Sequence, residues 1–189
     1  MTEVLFDDIV DELVKELKDG IVHCQPKSET EFDRDFVAPR CEEILNVRGP
    51  EWDWAVHPWG DKHRAEAWAK SKEWGAISTW GMHHTLDLVA RESSSGKKLG
   101  VEIKLAKMRG RHAPTGDFQR MVGQCLIGRL VHDVVIGVFG ISPADREAKQ
   151  HVAKIISQFE DDTCDYRLKL EEHGIRLIVR QIDSATPVP

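Results

Sequence analysis

The stretch TLDLVA at residues 85–90, followed closely by GVEIKL at residues 100–105, determines the expected fold of this chain. Apolar and polar residues alternate in the second run, which predicts a strand with Glu102 and Lys104 on one face and apolar side chains on the other. The first run is apolar apart from Asp87 and predicts a neighbouring strand. An acidic residue is therefore expected on each of two consecutive strands.

The segment between the two runs predicts how these strands pair. It contains SSSG at residues 93–96, a turn sequence that lets the strands form an antiparallel hairpin. Such a hairpin brings Asp87 beside Glu102, with Lys104 close by. Two carboxylates and an ammonium form a site for a hard cation that also orients a water molecule, as metal-assisted phosphodiester hydrolysis requires.

The order of these residues resembles the PD-(D/E)XK nuclease superfamily, which has the restriction-endonuclease-like fold. The resemblance rests on Asp87, the triplet Glu-Ile-Lys at 102–104, an acidic helix start at 28–31 and Gly-Gln at 123–124. Leu86 stands where many members have proline. The resemblance implies an α/β fold with a mixed central sheet flanked by helices, and a single nuclease-like domain over residues 1–189.

The resemblance also implies roles for the residues of the two strands. Asp87 and Glu102 would hold one or two Mg²⁺ ions, for which Mn²⁺ can substitute, and the backbone carbonyl of Ile103 would be a further ligand. Lys104 would orient the attacking water and stabilise the negative charge that develops at phosphorus. These residues are the predicted metal and catalytic centre.

Two further catalytic residues are expected on helices. A helix predicted to begin near Ser28 carries Glu29 on the same stripe as Phe36, so Glu29 is the first choice for the superfamily's helix acid and Glu31 the second. Gln124, on a helix predicted from about 117 to 131, would support the active site or contact the substrate backbone. Alternatively, both glutamates complement the helix dipole, and Gln124 has a capping or surface role.

The charge of the chain is unevenly distributed. The net charge is −6, and residues 1–45 carry 13 acidic and 5 basic side chains, whereas residues 97–130 carry 8 basic and 2 acidic ones. A local basic surface next to the predicted site suits a phosphate backbone, although it could equally be a solvated loop and helix face. The residues expected to bind nucleic acid are Lys107, Arg109, Arg111 and Arg120.

All six tryptophans fall within residues 50–84. A helix is predicted from Asp61 to Trp74, between an early strand near 52–56 and the Asp87 strand. We interpret the segment at about 58–80 as a Trp-rich helical insertion. Tryptophans among basic residues could stack on nucleic-acid bases. The favoured interpretation is that they pack a small satellite core.

Length and composition indicate how many domains the protein has and where in the cell it is expected. A chain of 189 residues suits one α/β domain with a full core, and no stretch approaches the roughly 18 apolar residues of a membrane span. The acidic, amphipathic first twenty residues resemble neither a secretory signal nor a transit peptide, so a cytoplasmic location is expected. The four cysteines and nine histidines lack zinc-ligand spacing.

The sequence therefore predicts a Mg²⁺-dependent nuclease that acts on nucleic acid, with DNA favoured over RNA, as an endonuclease in restriction, repair or phage defence. One alternative is a catalytically silent nuclease-like scaffold that binds nucleic acid or protein. Another is an unrelated α/β domain in which the motif is a coincidence. No membrane partner is expected, and a homodimer is left open, because the first amphipathic helix could pack internally or form a dimer surface.

Overall fold

The computed structural model describes residues 6–21, 24–47, 51–79 and 82–183. Its centre is a five-stranded mixed sheet of order β1-β4-β5-β6-β7, and strands β2 and β3 form a separate two-stranded sheet. The strands are β1 (Trp52–Val56), β2 (Ala76–Thr79), β3 (Met82–Thr85), β4 (Leu88–Glu92), β5 (Lys98–Met108), β6 (Val134–Pro143) and β7 (Ile175–Gln181). The predicted mixed α/β architecture is confirmed.

The predicted hairpin is formed by β4 and β5, which pair antiparallel. Gly96 occupies its turn with a φ of 71°, a left-handed conformation that glycine adopts without steric cost. The amide of Gly96 donates to the carbonyl of Glu92 at 2.9 Å and closes the turn. The serine-glycine segment therefore determines the register that aligns the two strands.

Strands β5, β6 and β7 pair in parallel. Helices α5 (Thr115–Gly128), α6 (Arg146–Glu160) and α7 (Asp165–Glu172) connect them. Strand β6 is buried almost throughout, as its continuous apolar sequence predicts for a strand covered on both faces. The short helix α7 is not predicted from the sequence, because its surface is mostly polar and its apolar periodicity is weak.

The first part of the chain covers the opposite face of the sheet. Helix α1 (Phe6–Gly20) confirms the predicted amphipathic helix. The next helical stretch consists of α2 (Glu29–Glu31), a π-helical segment (Phe32–Val37) and α3 (Ala38–Val47). The sequence predicts a bend at Pro39, and in the structure the π-helical segment ends two residues before this proline. Proline has no amide hydrogen to continue the regular bonding pattern, and a π turn accommodates that loss.

The sheet separates two hydrophobic clusters. One cluster joins α1 and residues 29–47 to the face that carries Val101 and Ile103. The other joins α4 (Lys62–Gly75), α5, α6 and α7 to the face that carries Ala106 and Met108. Because β5 is central and buried on both faces, a polar side chain on it needs a partner or an opening to solvent.

The region between β1 and β4 is larger than the predicted insertion of about 58–80. It contains α4, which is capped by Asp61 and corresponds to the helix predicted from Asp61 to Trp74, and then the two-stranded sheet that ends at Thr85. Of its tryptophans, Trp68 is buried in a core cluster, which agrees with the favoured packing role, and Trp80 lies outside the described residues. Within the described ranges, no helix is both long and apolar enough to cross a membrane.

Candidate active site

Asp87 lies in a bend immediately before β4, rather than inside a strand as the sequence predicts. The ladder of β4 with β5 includes the pair Leu88 and Val101, so Asp87 and Glu102 are the next residues on the two strands. The Asp87 carboxylate accepts a hydrogen bond from the amide of Ile103 at 2.8 Å. This side-chain bond takes the position of the next backbone ladder bond and holds Asp87 against β5.

The backbone of Ile103 faces Asp87. In an extended strand, the N–H and C=O of one residue point to the same side. Since the Ile103 amide donates to Asp87, the carbonyl of Ile103 points toward the same side of β5. The carbonyl that is predicted as a ligand therefore lies on the side of β5 that faces Asp87.

Lys104 is joined to the helix acid predicted from the sequence. Its Nζ lies 2.8 Å from the Glu29 carboxylate, and the second oxygen of Glu29 accepts a bond from the amide of Leu105 at 3.3 Å. Glu31, the second choice, instead accepts a bond from the amide of Lys27 at 2.8 Å. Of the two glutamates, Glu29 is therefore the one that contacts the strand residues.

Burial and nearby negative charges raise the pKa of both Asp87 and Glu102. For Glu102, which is only 4% exposed, burial is the largest cause and the charge of Asp87 adds to it, while Lys104 opposes both. Burial likewise raises the pKa of Asp87, and the hydrogen bond from Ile103 opposes the rise. A nearby cation stabilises the ionised form of a carboxyl group, and this stabilisation matters most where burial disfavours that form.

A fourth acidic residue, Asp33, is not among the predicted site residues. It lies in the π-helical segment, is 5% exposed, and its pKa is raised to about 8, mainly by burial and further by Asp87 and Glu29. The sequence did carry a signal for it, since Asp33 follows Glu29 by four residues, the spacing of side chains on one helix face.

Gln124 is exposed on helix α5 and lines a small cavity together with Glu102. The cavity has a volume of about 40 Å³, which is enough for a water molecule. Its wall also includes His132, whose pKa is lowered by burial and whose Nδ1 lies 3.0 Å from the Gly128 carbonyl. The structure thus brings Gln124 to the same cavity as Glu102. The other ring nitrogen of His132, Nε2, is buried and has no hydrogen-bond partner among the described residues.

The four basic residues predicted to bind nucleic acid are all exposed beyond the middle of β5. Arg111 forms an ion pair with Glu147 at 2.7 Å, and Arg120 forms one with Asp117 at 3.6 Å. Exposed ion pairs contribute little free energy, so either arginine can exchange its partner for a phosphate at small cost. Lys107 lies near the end of the strand that carries Glu102 and Lys104, Arg109 and Arg111 lie in the loop that follows it, and Arg120 lies on α5.

A divalent cation such as Mg²⁺ needs oxygen donors. In the part of the chain that the structure describes, no group of three or more His, Cys, Asp and Glu side chains is arranged to hold a metal ion. Mg²⁺ commonly uses one or two carboxylates and retains several waters. Asp87, Glu102 and the Ile103 carbonyl fit that requirement, because all three supply oxygen donors where the start of β4 meets the middle of β5.

Comparison with known proteins identifies no family for this chain. No protein-family model matches the chain, and neither a curated protein nor a solved structure is significantly similar to it. The resemblance to the PD-(D/E)XK superfamily therefore depends on the residues and the geometry described above.

Proposed function

We propose that this protein is a metal-dependent nuclease of the restriction-endonuclease-like type, which hydrolyses phosphodiester bonds of nucleic acid, with DNA as the favoured substrate. The observation that carries the proposal is the meeting of Asp87 and Glu102 at the end of the β4–β5 hairpin, with Lys104 beside them in contact with Glu29. Asp87, Glu102 and Glu29 act on one lysine, so the ionised forms of these carboxyl groups would exceed its single positive charge, and a divalent cation would balance the difference.

The strand residues have distinct roles in this proposal. Asp87 and Glu102 would hold Mg²⁺ together with the Ile103 carbonyl. When bound, the cation polarises a phosphoryl oxygen and lowers the pKa of a water molecule. The ammonium of Lys104 donates hydrogen bonds to the attacking water and to the phosphate oxygen on which charge develops. Glu29 fixes Lys104 through their ion pair, so the ammonium is already oriented when substrate arrives.

The proposal is tested by incubating the purified protein with plasmid DNA and with single-stranded DNA and RNA oligonucleotides, in Mg²⁺, in Mn²⁺ and in excess chelator. Cleavage that requires the metal supports the proposal. Metal-independent binding of DNA without cleavage would instead favour a nuclease-like scaffold that binds nucleic acid. Absence of both binding and cleavage for DNA and for RNA would overturn the proposal.

The basic surface makes a separate prediction about binding. In Ca²⁺, which commonly permits binding without cleavage, duplex affinity should fall steeply with salt because phosphate contacts release counterions. The double variant Arg109→Ala with Arg111→Ala should flatten the slope of log affinity against log salt by about one to two units. Fluorescence anisotropy at several salt concentrations measures this slope.

The matched control for this experiment is Lys154→Ala with Lys169→Ala, two exposed lysines on α6 and α7. The control removes the same total charge away from the site and should leave the slope within about half a unit of wild type. An equal change in both double variants would show that net charge, and not this surface, governs binding.

A further inference from the structure

His132 is a buried histidine in the turn between α5 and β6, and its side chain is only 3% exposed. Its Nδ1 lies 3.0 Å from the carbonyl oxygen of Gly128. A carbonyl oxygen can only accept a hydrogen bond, so Nδ1 carries the proton of the neutral ring and donates it. Nε2 therefore presents a lone pair, and among the described residues this buried atom has no hydrogen-bond partner.

The His132 ring lies on the face of β5 that carries Glu102. Gly100 and Glu102 are alternate residues of this strand, so both positions point to the same side of the sheet. A Cβ at Gly100 would lie 3.3 Å from Cγ of His132, which means that the imidazole occupies space that a side chain at position 100 would fill. Alternate positions on a strand are roughly 7 Å apart, a spacing that one water molecule between two side chains can bridge.

The cavity of about 40 Å³ beside α5 joins these two side chains. Its lining includes Glu102, Gln124 and His132. A buried water typically makes about three hydrogen bonds, and the three side chains offer a matching set. Nε2 of His132 and the carboxylate of Glu102 accept, whereas the amide nitrogen of Gln124 donates. A water molecule has two hydrogens to donate and an oxygen that accepts, so it can satisfy all three partners at once.

We propose that a water molecule in this cavity bridges His132 to Glu102, and that His132 is a positioning residue that orients the Glu102 carboxylate toward the divalent cation. This inference rests on the proposed function, because it assigns a supporting residue to the same site. One oxygen of Glu102 accepts from the water, and the other stays available to the cation. A hydrogen-bond partner that orients a ligating carboxylate in this way strengthens metal binding.

The water bridge is tested by a crystal structure of the intact protein at a resolution that shows ordered water. The expected result is a water within about 3.2 Å of both Nε2 of His132 and a carboxylate oxygen of Glu102. A cavity without water, or a water that contacts His132 and not Glu102, would overturn the inference. This observation requires neither metal nor nucleic acid.

The role of His132 is tested with two substitutions that separate its ring nitrogens. His132→Asn keeps a polar atom near the position of Nδ1 and has none near Nε2, whereas His132→Gln restores one near Nε2. In calorimetric titration with Mn²⁺ alone, His132→Asn should weaken binding by about tenfold, and His132→Gln should bind within about threefold of wild type. The matched control is His63→Asn, an exposed histidine on α4, which should bind within about twofold of wild type.

A packing role for His132 predicts a different result from a positioning role. Circular dichroism and thermal melting establish that each variant is folded. Rescue of Mn²⁺ binding by His132→Gln, at a melting temperature similar to that of His132→Asn, supports the role of Nε2. Equal losses of binding in the two variants would assign the effect to packing and overturn the inference.

Failure of this inference can be distinguished from failure of the proposed function. Wild-type Mn²⁺ affinity in both His132 variants, together with lost binding in Asp87→Asn, would overturn the role of His132 and leave the proposed function standing. If the wild-type protein binds no Mn²⁺ and cleaves no nucleic acid, the proposed function and the role of His132 in it are both overturned. The crystal structure still decides in that case whether the water bridge exists.

Discussion

Asp87→Asn, Glu102→Gln and Lys104→Met should each lower metal-dependent cleavage by about a thousandfold. The two carboxylate variants keep side-chain size and remove an anionic metal ligand. Lys104→Met keeps most of the side-chain length and removes the ammonium that contacts Glu29. Rates are measured with the same DNA and with saturating Mn²⁺, so that weakened metal binding is separated from a slower reaction.

The control variants for this prediction are Glu43→Gln and Lys154→Met, which change exposed residues on α3 and α6. They should cleave at the wild-type rate within about twofold, because surface substitutions away from a site have small effects. Retention of wild-type cleavage by any one of the three site variants would contradict the mechanism.

Glu102→Gln should also stabilise the protein at neutral pH, by on the order of 2 kcal/mol, which corresponds to a melting temperature roughly 4–8 °C higher for a chain of this size. The reason is the burial of Glu102 beside Asp87, which disfavours its ionised form. Removal of a charge that the fold tolerates poorly relieves this cost. The measurement is thermal unfolding with chelator present, compared with Glu43→Gln.

The stabilisation should depend on pH in a defined direction. Because folding raises the pKa of Glu102, the unfolded chain loses its proton first as the pH rises. Below the unfolded pKa, about 4.3, both states are protonated and the wild-type protein carries no penalty. The wild-type protein then loses stability relative to the variant as the pH rises through the raised folded pKa. A difference that does not change between pH 4 and pH 8 would exclude this explanation.

Local patterns in the sequence predicted the strands that carry the site. The alternation around Glu102 and the turn that ends at Gly96 are short-range signals, and the structure has β5 and the hairpin where they indicate. The continuous apolar run of β6 is likewise a local property. These features are encoded by neighbouring residues, so a single sequence is enough to predict them.

Features that depend on distant contacts were not predicted. Asp87 was expected within a strand, but its bond to the Ile103 amide replaces a ladder bond and creates a bend. The β2–β3 sheet was also missed, because its residues lack a sustained alternation of polar and apolar side chains. For Asp87 a contact with another strand overrides the local preference, whereas the β2–β3 hairpin is local and lacks a sequence pattern that would predict it.

Asp33 is a residue near the site that could not be predicted from the sequence. Its spacing from Glu29 was visible in the sequence, but acidic residues four apart are common on exposed helix faces. Its burial depends on the π-helical segment and on the contact with Trp59, which lies 26 residues further along the chain. Neither the local backbone distortion nor that contact follows from helical periodicity.

The central claim is that Asp87 and Glu102 together bind a divalent cation. Crystals of the protein soaked in Mn²⁺ test it directly, because manganese can be located by its anomalous scattering. The account predicts a strong anomalous peak between the two carboxylates, within ligand distance of the Ile103 carbonyl oxygen. Full occupancy of Mn²⁺ elsewhere on the protein, with no peak between Asp87 and Glu102, would contradict the account.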